Sequence, residues 1–304
     1  MKIFITGASG NIGSKITDIL LNQGIHEVRL CSRYPEKLVI EQSRGAEIAR
    51  GTLDSETFWL QATQGCDAMF VMLPPNDSTR DYRNFQNRVA QNAATAIRKN
   101  KIEQVVLLSS FGAQINPELG IAAGHADAES LLRQVVPNIC ILRPGFLMEN
   151  FLLSFDEILD KKPVRFPISK SVKLPMVAAQ DVAEAAVRYL NRPRQEGQQI
   201  VPLYGPEDRE IQEAVEIIGV TLGRRLQYEE VSSEGMRAVL MRKGLGSSFT
   251  AQLVQFYDAL DIGLLQPEQP RDDFSTTPTS VSEFAQQVLA PILSTSEPAL
   301  RKLV

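Results

Sequence analysis

Cysteine and histidine are scarce in this sequence. The 304 residues include three cysteines, Cys31, Cys66 and Cys140, and two histidines, His26 and His125. An odd, widely spaced set of cysteines without a Cys-x-x-Cys pair argues against a disulfide framework or a structural zinc site. Two histidines are too few for a histidine metal cluster, so we expect no bound metal.

Long apolar runs and basic blocks are also missing. The formal net charge is −4, which disfavours nucleic acid as the main ligand. No apolar run approaches the ~20 residues of a membrane span. Met1 is followed directly by a predicted strand, so no signal peptide is expected. These features predict a cytoplasmic protein that acts on a small molecule and does not bind a membrane.

The most informative segment is residues 2–13, Lys-Ile-Phe-Ile-Thr-Gly-Ala-Ser-Gly-Asn-Ile-Gly. A short β-forming run precedes three glycines, and apolar residues at helical spacing follow. Strand, glycine turn and helix predict a dinucleotide site, because the backbone can approach the pyrophosphate and the helix N-terminus faces the phosphates. The alternative is a plain turn between strand and helix. The predicted cofactor contacts in this segment are Gly7, Ser9, Gly10, Asn11, Ile12 and Gly13.

Strands and helices alternate through the first half of the sequence. Predicted strands cover 27–32, 46–50, 68–73, 104–109 and 139–142, and predicted helices cover 55–63, 77–100 and 126–135. Continuous apolar strands separated by helices indicate a parallel sheet covered on both faces. We therefore predict an α/β fold with a doubly wound parallel Rossmann sheet. Trp59, Tyr82 and Phe85 are assigned to its core.

The pattern changes after Arg143, where prolines accumulate and the alternation becomes irregular. A helix over 177–191 and a strand over 199–203 are predicted to return to the sheet, and the later chain is mostly helical, over 209–222, 233–243, 249–260 and 281–289. The predicted NAD(P)-binding domain is thus 1–145 with 176–203. Residues 146–175 and 204–304 are predicted to form a smaller, mostly helical substrate lobe over the carboxyl ends of the strands.

The end of the second predicted strand indicates which dinucleotide binds. NAD-preferring folds usually have an acidic residue there for the ribose 2′-hydroxyl, but this sequence has Ser32 and Arg33. An arginine suits a 2′-phosphate, so NADP(H) is predicted over NAD(H). The alternative is that Arg33 is only a solvated charge. Asp54, after the third strand, either accepts from the adenine amino group or caps the next helix.

Taken together, these segments resemble the NmrA-like group of atypical short-chain dehydrogenases over nearly the whole chain. The resemblance rests on TGASGNIG (6–13), SRYPEK (32–37), GTLD (51–54), LPP (73–75), LLSSFGA (107–113) and LRPGFLMEN (142–150). Together with their positions at strand ends, it predicts cofactor contacts from Leu73, Pro74, Ser109, Pro144 and Phe146; the alternative for Ser109 is a role in the turn only. An acceptor pocket is predicted near Phe146, Met148 and Asn150, and the alternative for Asn150 is that it only begins a helix.

The sequence departs from the short-chain pattern at the catalytic position. The family's Tyr-x-x-x-Lys pair is replaced by His125 and Glu129, and no other such pair occurs in the chain. His125 either supplies a proton or only caps a helix or packs against the nicotinamide. Glu129 either orients His125 or faces solvent. The usual general acid is therefore missing.

The missing acid limits the chemistry that the chain can perform. Reduction of a simple ketone forms an alkoxide that needs a positioned proton donor, an effect of ~10²–10⁴ in rate. Quinones, azo groups and triarylmethane cations need less help, because they delocalise the incoming charge or are already cationic. The prediction is an NADPH-dependent reductase of such acceptors. The alternatives are a non-catalytic NADP(H)-binding redox sensor that acts through a protein partner and, less in keeping with the missing pair, a sugar-nucleotide epimerase.

Overall fold

A seven-stranded parallel sheet forms the centre of the molecule. The computed structural model describes residues 1–76, 78–115, 119–192 and 197–300, the last five in backbone only. The strands are β1 (Lys2–Ile5), β2 (Glu27–Ser32), β3 (Glu47–Arg50), β4 (Ala68–Met72), β5 (Gln104–Leu108), β6 (Asn138–Pro144), β7 (Phe146–Leu147), β8 (Val164–Phe166), β9 (Lys173–Val177), β10 (Gly197–Leu203), β11 (Asp208–Glu210) and β12 (Tyr228–Glu230). The order across the sheet is β10-β6-β5-β4-β1-β2-β3, with every neighbouring pair parallel. The predicted Rossmann fold is confirmed.

Helices cover both faces of this sheet. The α-helices of the described residues are α1 (Gly13–Gln23), α2 (Val39–Ser43), α3 (Glu56–Ala62), α4 (Tyr82–Asn100), α5 (Ile121–Arg133), α6 (Phe155–Leu159), α7 (Ala179–Leu190), α8 (Ile211–Thr221), α9 (Ser233–Arg242), α10 (Ser247–Asp261), α11 (Val281–Phe284) and α12 (Ala290–Leu300). In β5, Val106 and Leu108 pack towards α1 and α7, whereas Val105 and Leu107 pack towards α3, α4 and α5. Burial on both faces explains why these strands are apolar throughout.

The first half of the chain follows the sequence pattern closely, with two shifted helix starts. The strand β2 has the predicted ends. The helix predicted from Asp77 begins at Tyr82, where the Asp81 side chain accepts a hydrogen bond from the backbone N–H of Asn84. Asp77 itself lies outside the described residues. An N-terminal cap of this kind fixes where a helix begins more firmly than apolar spacing does.

The other shifted helix is α5, which begins at Ile121 rather than at the predicted Ala126. Glycine is a poor helix former, and Gly124 obscured the first turn in the sequence. The structure gives a reason for this glycine, since a Cβ at position 124 would lie 2.2 Å from Oε1 of Gln86 on α4. Close packing of α4 and α5 therefore requires Gly124. His125 and Glu129 follow this glycine and lie one turn apart on α5.

The later chain contains short strands that the sequence did not predict. β11, β9 and β7 form a three-stranded sheet, and β12 pairs with β8. Strands of two to five residues, one of them containing a proline, carry too little alternation to detect. An apolar cluster joins these strands to α8, α9, α10 and α11, with Phe151, Phe166 and Tyr257 at its centre. The proposed division into domain and lobe stays a prediction.

Two further expectations concern the strand that returns to the sheet and the location of the protein. The predicted strand that returns to the sheet is β10, which pairs with β6 over Gly197–Leu203. Among the described helices, none has the length and apolar character needed to cross a bilayer. The cytoplasmic location stays a prediction.

Candidate functional site

A cavity of about 570 Å³ lies at the carboxyl ends of β1, β4, β5 and β6. The chain runs from β1 outward to β3 and then returns to β4 beside β1, and this reversal of strand order is where such sheets bind ligands. One side of the cavity is the glycine turn after β1. The other side comes from the segment after β6 and from α10, so residues far apart in sequence meet here.

The predicted site residues divide into two groups by position. Those that line the cavity are Gly7, Gly10, Asn11, Ile12, Gly13, Leu73, Ser109, His125, Pro144, Phe146 and Asn150. Those outside its lining are Ser9, Ser32, Arg33, Asp54, Pro74, Glu129 and Met148. The structure thus brings eleven of the predicted residues around one space.

The glycine turn has the geometry of an anion cradle. The N–H of Gly10 donates to the carbonyl of Gly7 (2.9 Å), and a Cβ at Gly13 would lie only 2.1 Å from that carbonyl oxygen. Gly13 is therefore required for close packing of α1 on β1. In the described chain, the N–H groups of residues 11–13 make no backbone hydrogen bond. Three free donors at a helix N-terminus suit a pyrophosphate, so the turn fits the predicted cofactor.

Beyond the cavity, the end of β2 carries an exposed basic pair. The Ser32 hydroxyl accepts a hydrogen bond from the N–H of Tyr34 (3.0 Å), which orders the turn. The Arg33 guanidinium lies 5.6 Å from the centre of the Tyr34 ring, and the Lys37 ammonium lies 5.4 Å from it. The sequence analysis did not single out Lys37. The signal in the sequence was that Lys37 follows Arg33 by four positions, a spacing that can bring two side chains to the same side of a turn.

Asp54 does not cap the helix that follows it. Ser55 is the N-cap residue of α3, and its side chain accepts from the N–H of Phe58 (3.3 Å). The Asp54 carboxylate instead accepts from the Thr52 hydroxyl (2.5 Å) and stays exposed. The capping interpretation was therefore wrong, and the adenine contact stays a prediction.

Glu129 belongs to a buried ion-pair cluster and does not face solvent. Its carboxylate accepts from Arg143 Nε (2.9 Å), is also paired with Arg143 Nη2, and accepts from the Ser109 hydroxyl. Arg143 makes a second ion pair with Glu268. Burial lowers the pKa of Arg143, but Glu129 and Glu268 outweigh it and hold that pKa above its usual value. Glu129 therefore neutralises a buried cation beside the cavity.

The sequence analysis did not assign Arg143 or Glu268 to the site. A signal was present for Arg143, because a charged residue ending an otherwise apolar strand must find a buried partner. No signal was present for Glu268, which follows Arg143 by 125 positions in the chain. Such a partner is visible only once the chain has folded.

His125 faces the cavity as a neutral ring. Burial lowers its pKa to about 4, against the opposing effects of Glu129 and a hydrogen bond to the backbone of Leu108. Its Nδ1 is shielded from solvent and has no hydrogen-bond partner among the described residues. His125 lies in the second turn of α5, so it does not cap that helix. An imidazolium is unpopulated here at neutral pH.

The segment after β6 contributes the predicted acceptor side of the cavity. Phe146 lines the cavity and packs edge to face against Phe151 and Phe166, with centroids 6.1 and 6.0 Å apart. Asn150 is also part of the wall. Met148 is buried in the apolar cluster around Phe151 and Phe166 and does not line the cavity. Its position argues against the substrate contact predicted for it, because its side chain fills the core instead.

A second part of the lining was missed by the sequence analysis. It is apolar and aromatic, and apart from Tyr82 its residues come from the segment after β7, from α10 and from the loop before α10. Tyr82 is buried in the core as predicted, borders the cavity, and packs edge to face on Phe249 at 4.9 Å. Helical spacing on α10 had predicted a buried face but not what that face covers. The residues are Tyr82, Leu153, Leu245, Phe249, Leu253, Phe256 and Tyr257.

Comparison with known families agrees with this geometry. Residues 7–193 match the family model described as NAD(P)H-binding, which is more than half of the chain. The chain belongs to the NAD(P)H-binding family. The resemblance to the NmrA-like, atypical short-chain dehydrogenases is confirmed, and so is the prediction that the glycine turn belongs to an NAD(P)H-binding fold.

The chain is similar in sequence or in structure to several known proteins. It is 23% identical over 257 residues to the NAD(P)H azoreductase of Xenophilus azovorans, covering 84% of this chain and 86% of that protein. The Citrobacter sp. triphenylmethane reductase complexed with NADP(H) superposes with a TM-score of 0.77 at 19% identity, covering 94% and 99% of the two chains. The NADPH-dependent quinone oxidoreductase QOR2 of Escherichia coli, complexed with NADPH, gives 0.69 at 19% identity and the same coverage. The structural likenesses establish the shared fold.

Proposed function

We propose that this protein is an NADPH-dependent reductase of small, conjugated, electron-poor acceptors of the quinone, azo or triarylmethane type. One observation carries the proposal: the cavity joins an anion cradle to an apolar wall that holds no charged side chain among its described residues. The titratable residues that line the cavity are Tyr82, His125 and Tyr257. None of the three is a matched acid at neutral pH, since burial raises the pKa of both tyrosines and lowers that of His125.

A wall of this kind suits acceptors that need no proton in the transition state. The bound dinucleotide supplies a hydride, and the glycine turn and its free N–H groups hold the pyrophosphate. Phe146 and Asn150 are proposed to contact the acceptor. The aromatic side chains that line the cavity suit a flat, conjugated molecule. A simple ketone would lack the general acid that its alkoxide requires.

NADPH is the preferred cofactor in this proposal. Arg33 and Lys37 both lie near the Tyr34 ring in the segment after β2 and provide two positive charges for a 2′-phosphate. The triphenylmethane reductase and quinone oxidoreductase that share this fold are described with NADP(H) and NADPH. The azoreductase, triphenylmethane reductase and quinone oxidoreductase also act on the three acceptor types named here.

The test is NADPH oxidation, followed at 340 nm, with a quinone, an azo dye and a triarylmethane dye as acceptors. Reduced nicotinamide cofactors absorb light at about 340 nm, and their oxidised forms do not. The matched control is the Gly10→Val variant, which keeps every side chain of the apolar wall. Turnover above the background of that variant with at least one acceptor supports the reductase. Tight NADPH binding without turnover of any acceptor would contradict it and favour the redox sensor.

A further inference from the structure

Tyr257 is an unusual polar group in an otherwise apolar wall. It lines the cavity from α10 and is fully buried, and its hydroxyl has no hydrogen-bond partner among the described residues. The hydroxyls of other buried tyrosines are satisfied: that of Tyr82 donates to the carbonyl of Pro74 (3.3 Å), and that of Tyr204 accepts from the N–H of Glu268 (3.2 Å). A buried hydroxyl without a partner costs folding free energy, so its retention calls for a ligand.

The Tyr257 ring is held firmly by its neighbours. It packs edge to face on Phe166 with centroids 5.7 Å apart, and it lies against Phe256 at 6.4 Å. Burial also raises the pKa of its phenol, so the hydroxyl keeps its proton throughout the neutral range. A fixed, protonated and unpartnered hydroxyl on a side chain that lines a cavity is a preorganised hydrogen-bond donor.

We propose that the Tyr257 hydroxyl donates a hydrogen bond to the carbonyl oxygen of a bound quinone and thereby makes the site selective for quinones over triarylmethane cations. A triarylmethane cation has no carbonyl oxygen, and its nitrogen lone pairs are delocalised into the cationic system. The inference rests on the reductase function proposed above and deepens it. In this proposal the polar contact with the acceptor comes from Tyr257 on α10. It does not come from α5, where the Tyr-x-x-x-Lys pair of the family is missing.

Tyr257 acts here as a donor and not as an acid. The quinone gains two electrons and one proton as a hydride, its oxygen becomes anionic, and that oxygen then takes a second proton from water. The O–H bond of Tyr257 stays intact throughout. A hydrogen bond to an anionic oxygen is stronger than one to a neutral carbonyl, so the contact strengthens as the hydride arrives. We therefore expect its loss to lower kcat as well as affinity.

The test removes only the hydroxyl, with Tyr257→Phe, and uses Tyr228→Phe as the matched control. Tyr228 belongs to the same lobe, but its hydroxyl donates to the carbonyl of Phe166 (3.1 Å) and it does not line the cavity. Tyr257→Phe is expected to lower kcat/KM for 1,4-naphthoquinone roughly three- to tenfold and to leave that for crystal violet unchanged. Its melting temperature should stay level or rise, whereas Tyr228→Phe should lower the melting temperature and leave both kinetic constants unchanged.

A binding measurement separates this inference from the proposed function. Protein loaded with oxidised NADP cannot transfer a hydride, so calorimetry with 1,4-naphthoquinone reports binding alone, and the infrared carbonyl band of the bound quinone reports the hydrogen bond. The band should lie at lower frequency in the wild type than in Tyr257→Phe. Binding with this shift but without turnover by NADPH would uphold Tyr257 and overturn the reductase. An unshifted band, equal losses for both acceptors, or no quinone binding would overturn the role of Tyr257.

Discussion

The two walls of the cavity are built in different ways. The glycine turn uses backbone N–H groups of consecutive residues, Asn11 to Gly13, at the start of one helix. The facing wall uses side chains from segments about a hundred residues apart, among them Phe146 and Tyr257. The first wall presents backbone N–H groups that suit a phosphate, and the second is shaped by the side chains of this particular sequence. Cofactor binding is therefore local in this chain, and acceptor selectivity is distributed.

The same contrast appears between two residues of α5 that lie one turn apart. Glu129 is charged, buried and paired with Arg143, whereas His125 is neutral and faces the cavity. Glu129 neutralises the buried Arg143 beside the cavity, and His125 borders the cavity itself. Substitutions at the two sites should thus affect different measurements.

The largest effect is expected from Gly10→Val in the glycine turn. A Cβ at this position meets only the carbonyl oxygen of Gly7, at 3.2 Å, so the fold adjusts slightly while the added side chain occupies the phosphate space. NADPH binding should be lost in calorimetry, and the far-UV circular dichroism should stay native. Gly13→Val, where the Cβ would lie 2.1 Å from the same oxygen, should instead destabilise the fold. Normal NADPH affinity in Gly10→Val would show that the phosphates bind elsewhere.

The next effect concerns stability and follows from Glu129→Ala. The change leaves the buried Arg143 guanidinium with only Glu268, and unpairing a buried charge costs about 3–5 kcal/mol. Urea denaturation should report this loss. The control is Asp127→Ala on the same helix, whose pair with Arg83 is half-exposed and should contribute less than about 1 kcal/mol. Equal losses in the two variants would mean that the Arg143 cluster is solvated.

A smaller effect is expected for the cofactor preference. Arg33→Ala should weaken NADPH binding by about 1.5–3 kcal/mol, the scale of a hydrogen bond to a charged group, and leave NADH nearly unchanged. Calorimetry with both cofactors measures the difference. Arg98→Ala removes an equally exposed charge in the last turn of α4, at the other end of the strands, and should change neither affinity. If NADH weakens as much as NADPH, Arg33 does not select the 2′-phosphate.

The smallest effect is expected from His125→Ala. The ring gains its proton only as the pH falls through about 4, so it is neutral wherever the enzyme is assayed near pH 7. The loss in kcat/KM should stay below the ~10²–10⁴ of an essential general acid, and the pH profile should lack a limb near pH 6–7. A loss beyond a thousandfold with intact cofactor affinity, together with such a limb in the wild type, would make His125 the acid and favour carbonyl substrates.

The sequence predicted those parts of the site that depend on neighbouring residues. The turn after β1 was identified because its three glycines, its strand and its helix are contiguous, and the strand β2 was predicted to the residue. The prediction was less successful where a residue's role depends on a distant partner. Met148 was placed in the wall but fills the core, and Glu129 was left between two interpretations until Arg143 and Ser109 were seen beside it.

The sequence by itself determined the fold class, the glycine turn after β1 and the absence of a Tyr-x-x-x-Lys pair, because each depends on local spacing or on residue identity. Only the tertiary structure decided that His125 is neutral, that Glu129 is paired and that Tyr257 borders the cavity without a partner. Whether a residue is buried, and which residues it pairs with, depend on its surroundings in the folded protein. In this protein those surroundings are assembled from residues that the chain order keeps far apart.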